Sequence, residues 1–461
     1  MTVDPLVVLH DHLDGGVRPA TVLELAQTAG LAVPCDNEAD LARWMTVSAD
    51  LGLEEAFSRF DLVGSVLQRA DALRRVAAEA VEDLAADGVV HAELRFAPLL
   101  HTFGGLDPRQ VLEAVTAGLD DGQRETGLDA RVIVCAMRDQ PAAVSLQAAE
   151  AALAFAGRVV GFDLAGLEPG HLAEDHAVAL ARAADGGLGI TVHAGEMDGP
   201  HQIASALASC RPDRIGHGWR IIDDCEVLDG RIVELGATAT ALRDAQIPLE
   251  ICLTSNASLG RPVKDHPLML LADAGFRVGL NPDDRSITTT TARREFQLAE
   301  TELGVSRVMQ AAMTERAAAA AFVEETRRAE LVAEVRRGWD VTVPRLVHLA
   351  ERDRWDAACQ SGAYLPGEFA TDGFIHLSGL HQVLTPANRF YRGRRDLVAL
   401  VVDARMLTDS LVWEPGTGTV EYFPHLYSAL DVDAVIATVP FPPSTDGSFL
   451  LPPELLRAAR C

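Results

Sequence analysis

The chain is nearly devoid of lysine: Lys264 is the single one among 461 residues, and arginine carries almost all of the positive charge. Basic side chains are outnumbered, 40 Lys and Arg against 67 Asp and Glu, for a formal net charge of −27. A surface that neutralises phosphates along DNA or RNA needs the opposite balance, because Lys and Arg drive that binding by displacing counterions, so no nucleic acid is expected as a partner. Cysteines are few and scattered, at 35, 135, 210, 225, 252, 359 and 461, with no Cys-x-x-Cys spacing. That pattern argues against a disulfide framework and for reduced thiols in the cytoplasm. No run approaches about 18 uninterrupted apolar residues, and no basic stretch followed by an apolar core opens the chain, so neither a membrane span nor a signal peptide is expected. Hydrophobic residues, at 48%, suffice for one large α/β domain and a smaller one.

Short runs rich in Val, Ile and Leu recur, each followed by a polar cluster and then by helical periodicity. In order they are LVVLHDH (6–12), VVHAELRF (89–96), RVIVCAM (131–137), VVGFDLAG (159–166), ITVHAGE (190–196), RIGHG (214–218), PLEICLTSN (248–256) and RVGLNPDD (277–284). Eight strands alternating with helices over roughly 300 residues predict a (β/α)8 TIM barrel in residues 1–341, with a longer helical excursion at 36–75. The pattern changes at DVTVP (340–344), and residues 345–461 read as a small α+β domain with strands such as LVALVVDA and AVIATVPF.

His10 and His12, Gly166, His193 and Glu196, His217, and Asp283 and Asp284 all fall at the C-terminal ends of these strands, the face that carries active sites in such barrels. Residues two apart on a strand point the same way, so His10 and His12 can converge on one ion. His193 and Asp283 would add a third nitrogen and an oxygen, and three histidines, one carboxylate and a water suit Zn²⁺. Each residue also has a plainer use. His217 sits between glycines as a turn histidine would, and Asp283 or Asp284 could cap a helix before SITTTTARREF. The remaining histidines (91, 101, 171, 176, 201, 266, 348 and 381) read as structural or surface residues, and Cys252 as a small apolar residue within a buried strand.

The segments LHDHLDGGVRP, VVGFDLAG, TVHAGE, RIGHG and NPDD occur together and in this order over roughly residues 5 to 340, and by them the chain closely resembles the adenosine deaminases of the metal-dependent amidohydrolase superfamily. The resemblance implies one zinc per chain on His10, His12, His193 and Asp283, with Glu196 protonating the purine ring. It places His217 and Asp284 around the attacking water and the ring, Gly166 at the purine through its backbone N–H, and Asp14 at the ribose. The substrate would be a small purine nucleoside, adenosine, 2′-deoxyadenosine or a close 6-aminopurine relative, with water as the second reactant and the 6-oxo purine and ammonia as products. Zinc lowers the pKa of water from 15.7 to about 7. Attack at C6 then puts electrons on N1, where a proton donor such as Glu196 is needed. His217 would orient the water or accept its proton.

Binuclear members of the superfamily bridge two metals with a carboxylated lysine at the fourth strand. Here that strand ends in DLAG and the sole lysine is far off, so one metal is expected. Free-base deaminases of the family tend to carry Glu where this chain has Asp14, which favours a nucleoside over adenine. The chain could also act on an aminodeoxyfutalosine-type nucleoside, or be an inactive nucleoside-binding regulatory protein, against which the intact His193, Glu196, His217 and acid pair argue. It departs from the family pattern at NPDDR, where Pro282 precedes the acid pair and Arg285 adds a charge expected near the mouth, and at Leu253, where proline is frequent. Residues 345–461, with GFIHLS, VWEP and FPHLY, resemble a small bacterial domain family of undefined function, distantly similar in fold to ADP-ribosyltransferases. His376, Ser378, Arg389, Trp413 and His425 could line a pocket there, or the aromatics could be core and the histidines turn residues.

Overall fold

A computed structural model describes residues 4–339, 345–407, 411–416 and 421–459. The expected change of pattern at 340–344 lies outside the described residues, as does Cys461.

The eight apolar runs form eight parallel strands in sequential order: β1 (Leu6–His12), β2 (Val89–Phe96), β3 (Asp129–Met137), β4 (Val159–Ala165), β5 (Gly189–Ala194), β6 (Arg214–His217), β7 (Leu249–Ile251) and β8 (Val278–Leu280). The sheet closes on itself just past β8: Asp283 bridges Asp11, with His12 N donating to Asp283 O at 3.0 Å and Asp283 N to His10 O at 3.1 Å. The result is the TIM barrel expected. Its helices start and stop where the sequence dictates. Asp107 and Gln110 form a reciprocal capping box at the start of Pro108–Thr126, and Gly127, at φ 78°, ends that helix in the left-handed conformation. The excursion after β1 resolves into helices Glu38–Met45, Leu53–Val66 and Ala70–Ala86.

One strand expectation is corrected, and one pair of strands is added. The seventh run is strand only as far as Ile251; Cys252 is the N-cap residue of a short helix, Leu253–Ser258, that carries Asn256 toward the barrel axis, so Cys252 is buried but not in a strand. Between β6 and β7 a hairpin, Cys225–Leu228 paired with Arg231–Leu235, turns on Asp229-Gly230, both at positive φ as a type I′ turn demands.

The barrel interior is ionic where hydrophobic layers are usual. His91, Glu93 and Arg95 alternate along β2 and are fully buried. Arg95 reaches Asp163 of β4 and Glu250 of β7, each at 2.8 Å, while Arg214 of β6 binds Glu250 and Glu93, each at 2.6 Å.

The C-terminal residues form an α+β unit with two antiparallel three-stranded sheets: Arg345–Glu351, Leu397–Asp403 and Val435–Pro440 in one, Ile375–His376, Tyr422–Leu426 and Leu411–Pro415 in the other. The unit docks beneath the barrel. Thr385 Oγ1 bonds Gln246 at 3.0 Å, Leu384 packs on Gly275, and both partners precede β7 and β8, at the end of the barrel opposite His10 and His193. Arg316 donates to His381 O, and Arg336 lies 3.8 Å over the Tyr422 ring.

Candidate active site

Four strand ends bring one cluster together. His10, His193, His217 and Asp283 are all buried and offer four ligand atoms within 4.8 Å of one another. His12 joins them: its Nε2 is 3.2 Å from His193 Nε2 and 3.4 Å from Asp283 Oδ1. The fixed geometry of β1 explains why both its histidines reach the axis, and at the rim the backbone is strained into place. His217 (φ 56°) and Asp283 (φ 64°) both occupy the left-handed region that non-glycine residues avoid, a strain that concentrates at functional sites. Asp283 and Asp284 do not cap the following helix; its N-cap is Thr291.

Carboxylates behind the histidines fix which nitrogen faces the cluster. His10 Nδ1 donates to Glu250 at 2.9 Å and His193 Nδ1 donates to Asp163 at 3.0 Å, so each presents an Nε2 lone pair inward. His10 Nε2 and Asp283 Oδ1 face each other at 3.2 Å, both buried and neither in a hydrogen bond. Two converging imidazole lone pairs, a buried carboxylate oxygen and carboxylates behind the histidines are the donor set and outer shell of a zinc site. The residues present therefore fit the metal. Asp163 and Glu250 are functional positions the sequence reading passed over, though each is an acid inside an otherwise apolar run.

His217 is oriented by a relay anchored on the backbone. Leu268 N–H donates to His266 Nδ1 at 3.1 Å, which puts the proton of a neutral His266 on Nε2. His266 Nε2 then donates to Asn256 Oδ1 at 3.2 Å, and Asn256 Nδ2 donates to His217 Nδ1 at 3.1 Å. Burial holds the pKa of His217 well below the usual histidine value, so it is neutral and carries its proton on Nε2, 3.6 Å from both Glu196 Oε1 and Asp283 Oδ2. His266 is thus more than the structural residue expected.

Glu196 sits on a loop gripped from below by the buried Glu168. The two oxygens of Glu168 accept backbone N–H bonds from Gly195 (2.7 Å), Glu196 (3.1 Å), Met197 (2.7 Å) and Asp198 (2.8 Å). Burial, then the neighbouring Asp283 and Glu168, raise the Glu196 carboxyl well above its usual pKa. Burial and the charges of Asp283, Asp14 and Glu196 do the same to Asp284. Asp283 is shifted the other way: burial opposes its ionisation, but His10 beside it depresses its pKa. Adjacent carboxyls whose pKa values are pushed apart are the usual ground plan for dividing acid and anionic roles.

Asp14 lies beside this group, its carboxyl raised by burial and countered by His101. Gly15 leaves room for Asp284; a Cβ there would fall 1.8 Å from Asp284 Oδ1. Gly166 follows β4 at φ 95°, with its backbone at the same rim. Arg285, expected near the mouth, is instead buried, its Nε on Asp11 at 2.7 Å, where it neutralises an acid inside the β1–β8 seam.

The C-terminal candidates do not share one pocket. His376 and His425 are directly opposed across their strands, at 5.0 Å between ring centres, with His425 stacked on Phe374 at 4.0 Å. Trp413 packs into the core on the other side of that sheet, Ser378 is buried in a bridge to Val347, and Arg389 faces the barrel.

A family model described as adenosine deaminase matches residues 5–338. The chain belongs to the adenosine deaminase family. Adenosine deaminase of Mycobacteroides abscessus is 45% identical over 312 residues, covering 65% of this chain and 86% of the relative. Among solved structures, adenine deaminase from Arthrobacter aurescens aligns with a TM-score of 0.66 at 26% identity over 73% of this chain and 99% of its own. The N6-methyl-AMP deaminase of Arabidopsis thaliana gives 0.61 at 30% identity, over 73% of this chain and 96% of its own. Residues 349–438 match the model of a protein family of unknown function, DUF952. Among the described residues no helix is long and apolar enough to cross a membrane.

Proposed function

We propose that this chain hydrolytically deaminates adenosine or 2′-deoxyadenosine to the 6-oxo purine nucleoside and ammonia, with one zinc held by His10, His12, His193 and Asp283. The observation that carries the reading is a pair of buried atoms, His10 Nε2 and Asp283 Oδ1, that face each other at 3.2 Å without a hydrogen bond, in a cluster whose histidines are already locked from behind by Glu250 and Asp163. When bound, zinc supplies the Lewis acidity that makes water a nucleophile near neutral pH.

The remaining work falls to side chains of the same rim. Glu196, kept protonated by its surroundings, donates to N1 as electrons arrive there. His217, with its proton on Nε2, donates a hydrogen bond to the attacking oxygen and so orients it; the relay from Leu268 favours this over accepting the proton. Asp284, held as the acid, lies where it can share a proton with that oxygen, and the Gly166 N–H meets the purine edge. The C6–O bond forms as N1 takes the Glu196 proton; Asp284 passes its proton to the amino group and takes one from the attacking oxygen, the C6–N bond breaks, ammonia leaves, and the remaining proton of the water returns to Glu196. Asp14 accepts from a ribose hydroxyl, and a site built to bond a hydroxyl rejects analogues that lack it by as much as about 10⁴ to 10⁵. The 45% identity to an adenosine deaminase supports the nucleoside over the free base.

A spectrophotometric screen of adenosine, 2′-deoxyadenosine, adenine and modified 6-aminopurine nucleosides tests the substrate. Adenine turned over as efficiently as adenosine would sink the nucleoside assignment.

A further inference from the structure

The C-terminal unit and the barrel together line a partly open cavity of about 500 Å³ at the end of the barrel remote from the histidine cluster. We infer that this cavity binds a small organic molecule through a phosphate group. Its size falls in the range of small-molecule sites, which favour domain junctions. Arg243, Gln246 and Arg277 line it from the barrel, Thr385 and Arg389 from the second domain.

The charge of the wall points to an anion. Arg243 is 2% exposed, and its Nη1 is buried without a hydrogen-bond partner, as is Arg277 Nε. Two acids also line the wall, but each is shared with a further arginine: Asp244 takes Arg243 at 2.7 Å and Arg392 at 3.2 Å, and Glu421 lies 3.6 Å from Arg316. Two buried guanidinium N–H groups left without acceptors beside one cavity are costly unless an acceptor enters it, and an anionic acceptor compensates most. A guanidinium fork matches phosphate oxygens two at a time. The space exceeds what inorganic phosphate alone would fill. Because the walls come from both domains, the bound molecule would clamp them together.

The test is isothermal titration of the zinc-loaded full chain with glycerol 3-phosphate, inorganic phosphate, succinate and chloride at matched ionic strength. Saturable binding of one glycerol 3-phosphate per chain is expected, tighter than inorganic phosphate and weakened about tenfold or more in Arg277→Met, which removes charge-assisted bonds. Thr385→Glu, which puts a carboxylate into the cavity, should weaken binding similarly, and it decides the matter if Arg277→Met fails to fold. Both variants should retain adenosine turnover, since neither touches the rim of β1, β5, β6 or β8. No saturable binding up to about 10 mM, equal affinity in the variants that fold, or preference for succinate over both phosphates would overturn the proposal.

Discussion

Glu168→Gln probes how the position of Glu196 is enforced. In the native site Oε1 of Glu168 serves Gly195 N–H alone, and Oε2 serves the amides of Glu196, Met197 and Asp198. A glutamine keeps one carbonyl oxygen, and turning it toward the three-donor side leaves its NH₂ facing the Gly195 N–H, donor against donor. A buried N–H left without an acceptor costs about 1–3 kcal/mol, and each of the other three bonds loses charge assistance, roughly 1 kcal/mol apiece. After partial relaxation of the loop a loss of about 2–4 kcal/mol is expected, a large share of the 5–15 kcal/mol typical of a folded domain. Since Glu196 rides on the same loop, a displacement near 1 Å should also lower kcat by about 10²-fold. Urea unfolding of the zinc-loaded protein and steady-state kinetics read the two effects together. A variant with an unchanged midpoint and kcat within about twofold of the parent would refute the idea that the four-amide grip positions the acid.

Glu196→Gln should keep zinc and bind substrate, because its shape is nearly preserved, yet lose about 10²–10⁴-fold in kcat for want of a proton donor; near-normal turnover would mean another group protonates N1. Asn256→Asp presents acceptors to both His266 and His217 and should force the His217 proton onto Nδ1. kcat should fall by about 10²-fold or more with zinc content unchanged, a wrong-tautomer effect that parental turnover in this variant would disprove. A chain shortened to residues 1–340 should keep zinc and measurable kcat, because the second domain docks at the opposite end of the barrel; a folded, zinc-loaded but inactive product would place C-terminal residues in the chemistry.

What could be read from the sequence, and what could not, follows from range. The barrel was legible because each strand is a local apolar run and the chemistry clusters at one end of it. His10, His12, His193, His217, Glu196 and Asp283 were therefore identifiable before any contact was known. The Asp229-Gly230 hairpin had its local signal too, an Asp-Gly pair between apolar residues, and was passed over. Glu250 and Asp163 were harder: a lone acid in a strand becomes meaningful only once closure sets it behind His10 or His193. The His266 relay depends on a backbone N–H two residues further on, and Arg285 on an aspartate 274 positions away, neither of which any period in the sequence encodes. Where the second domain docks is set by side chains such as Thr385 and Gln246 that carry no pattern at all.

The account turns most directly on the metal stoichiometry of adenosine turnover. Metal-stripped protein titrated with zinc while ammonia release from adenosine is followed should start inactive, rise linearly and break at one zinc per chain. A break at two zinc ions, or full turnover before any zinc is added, would contradict it.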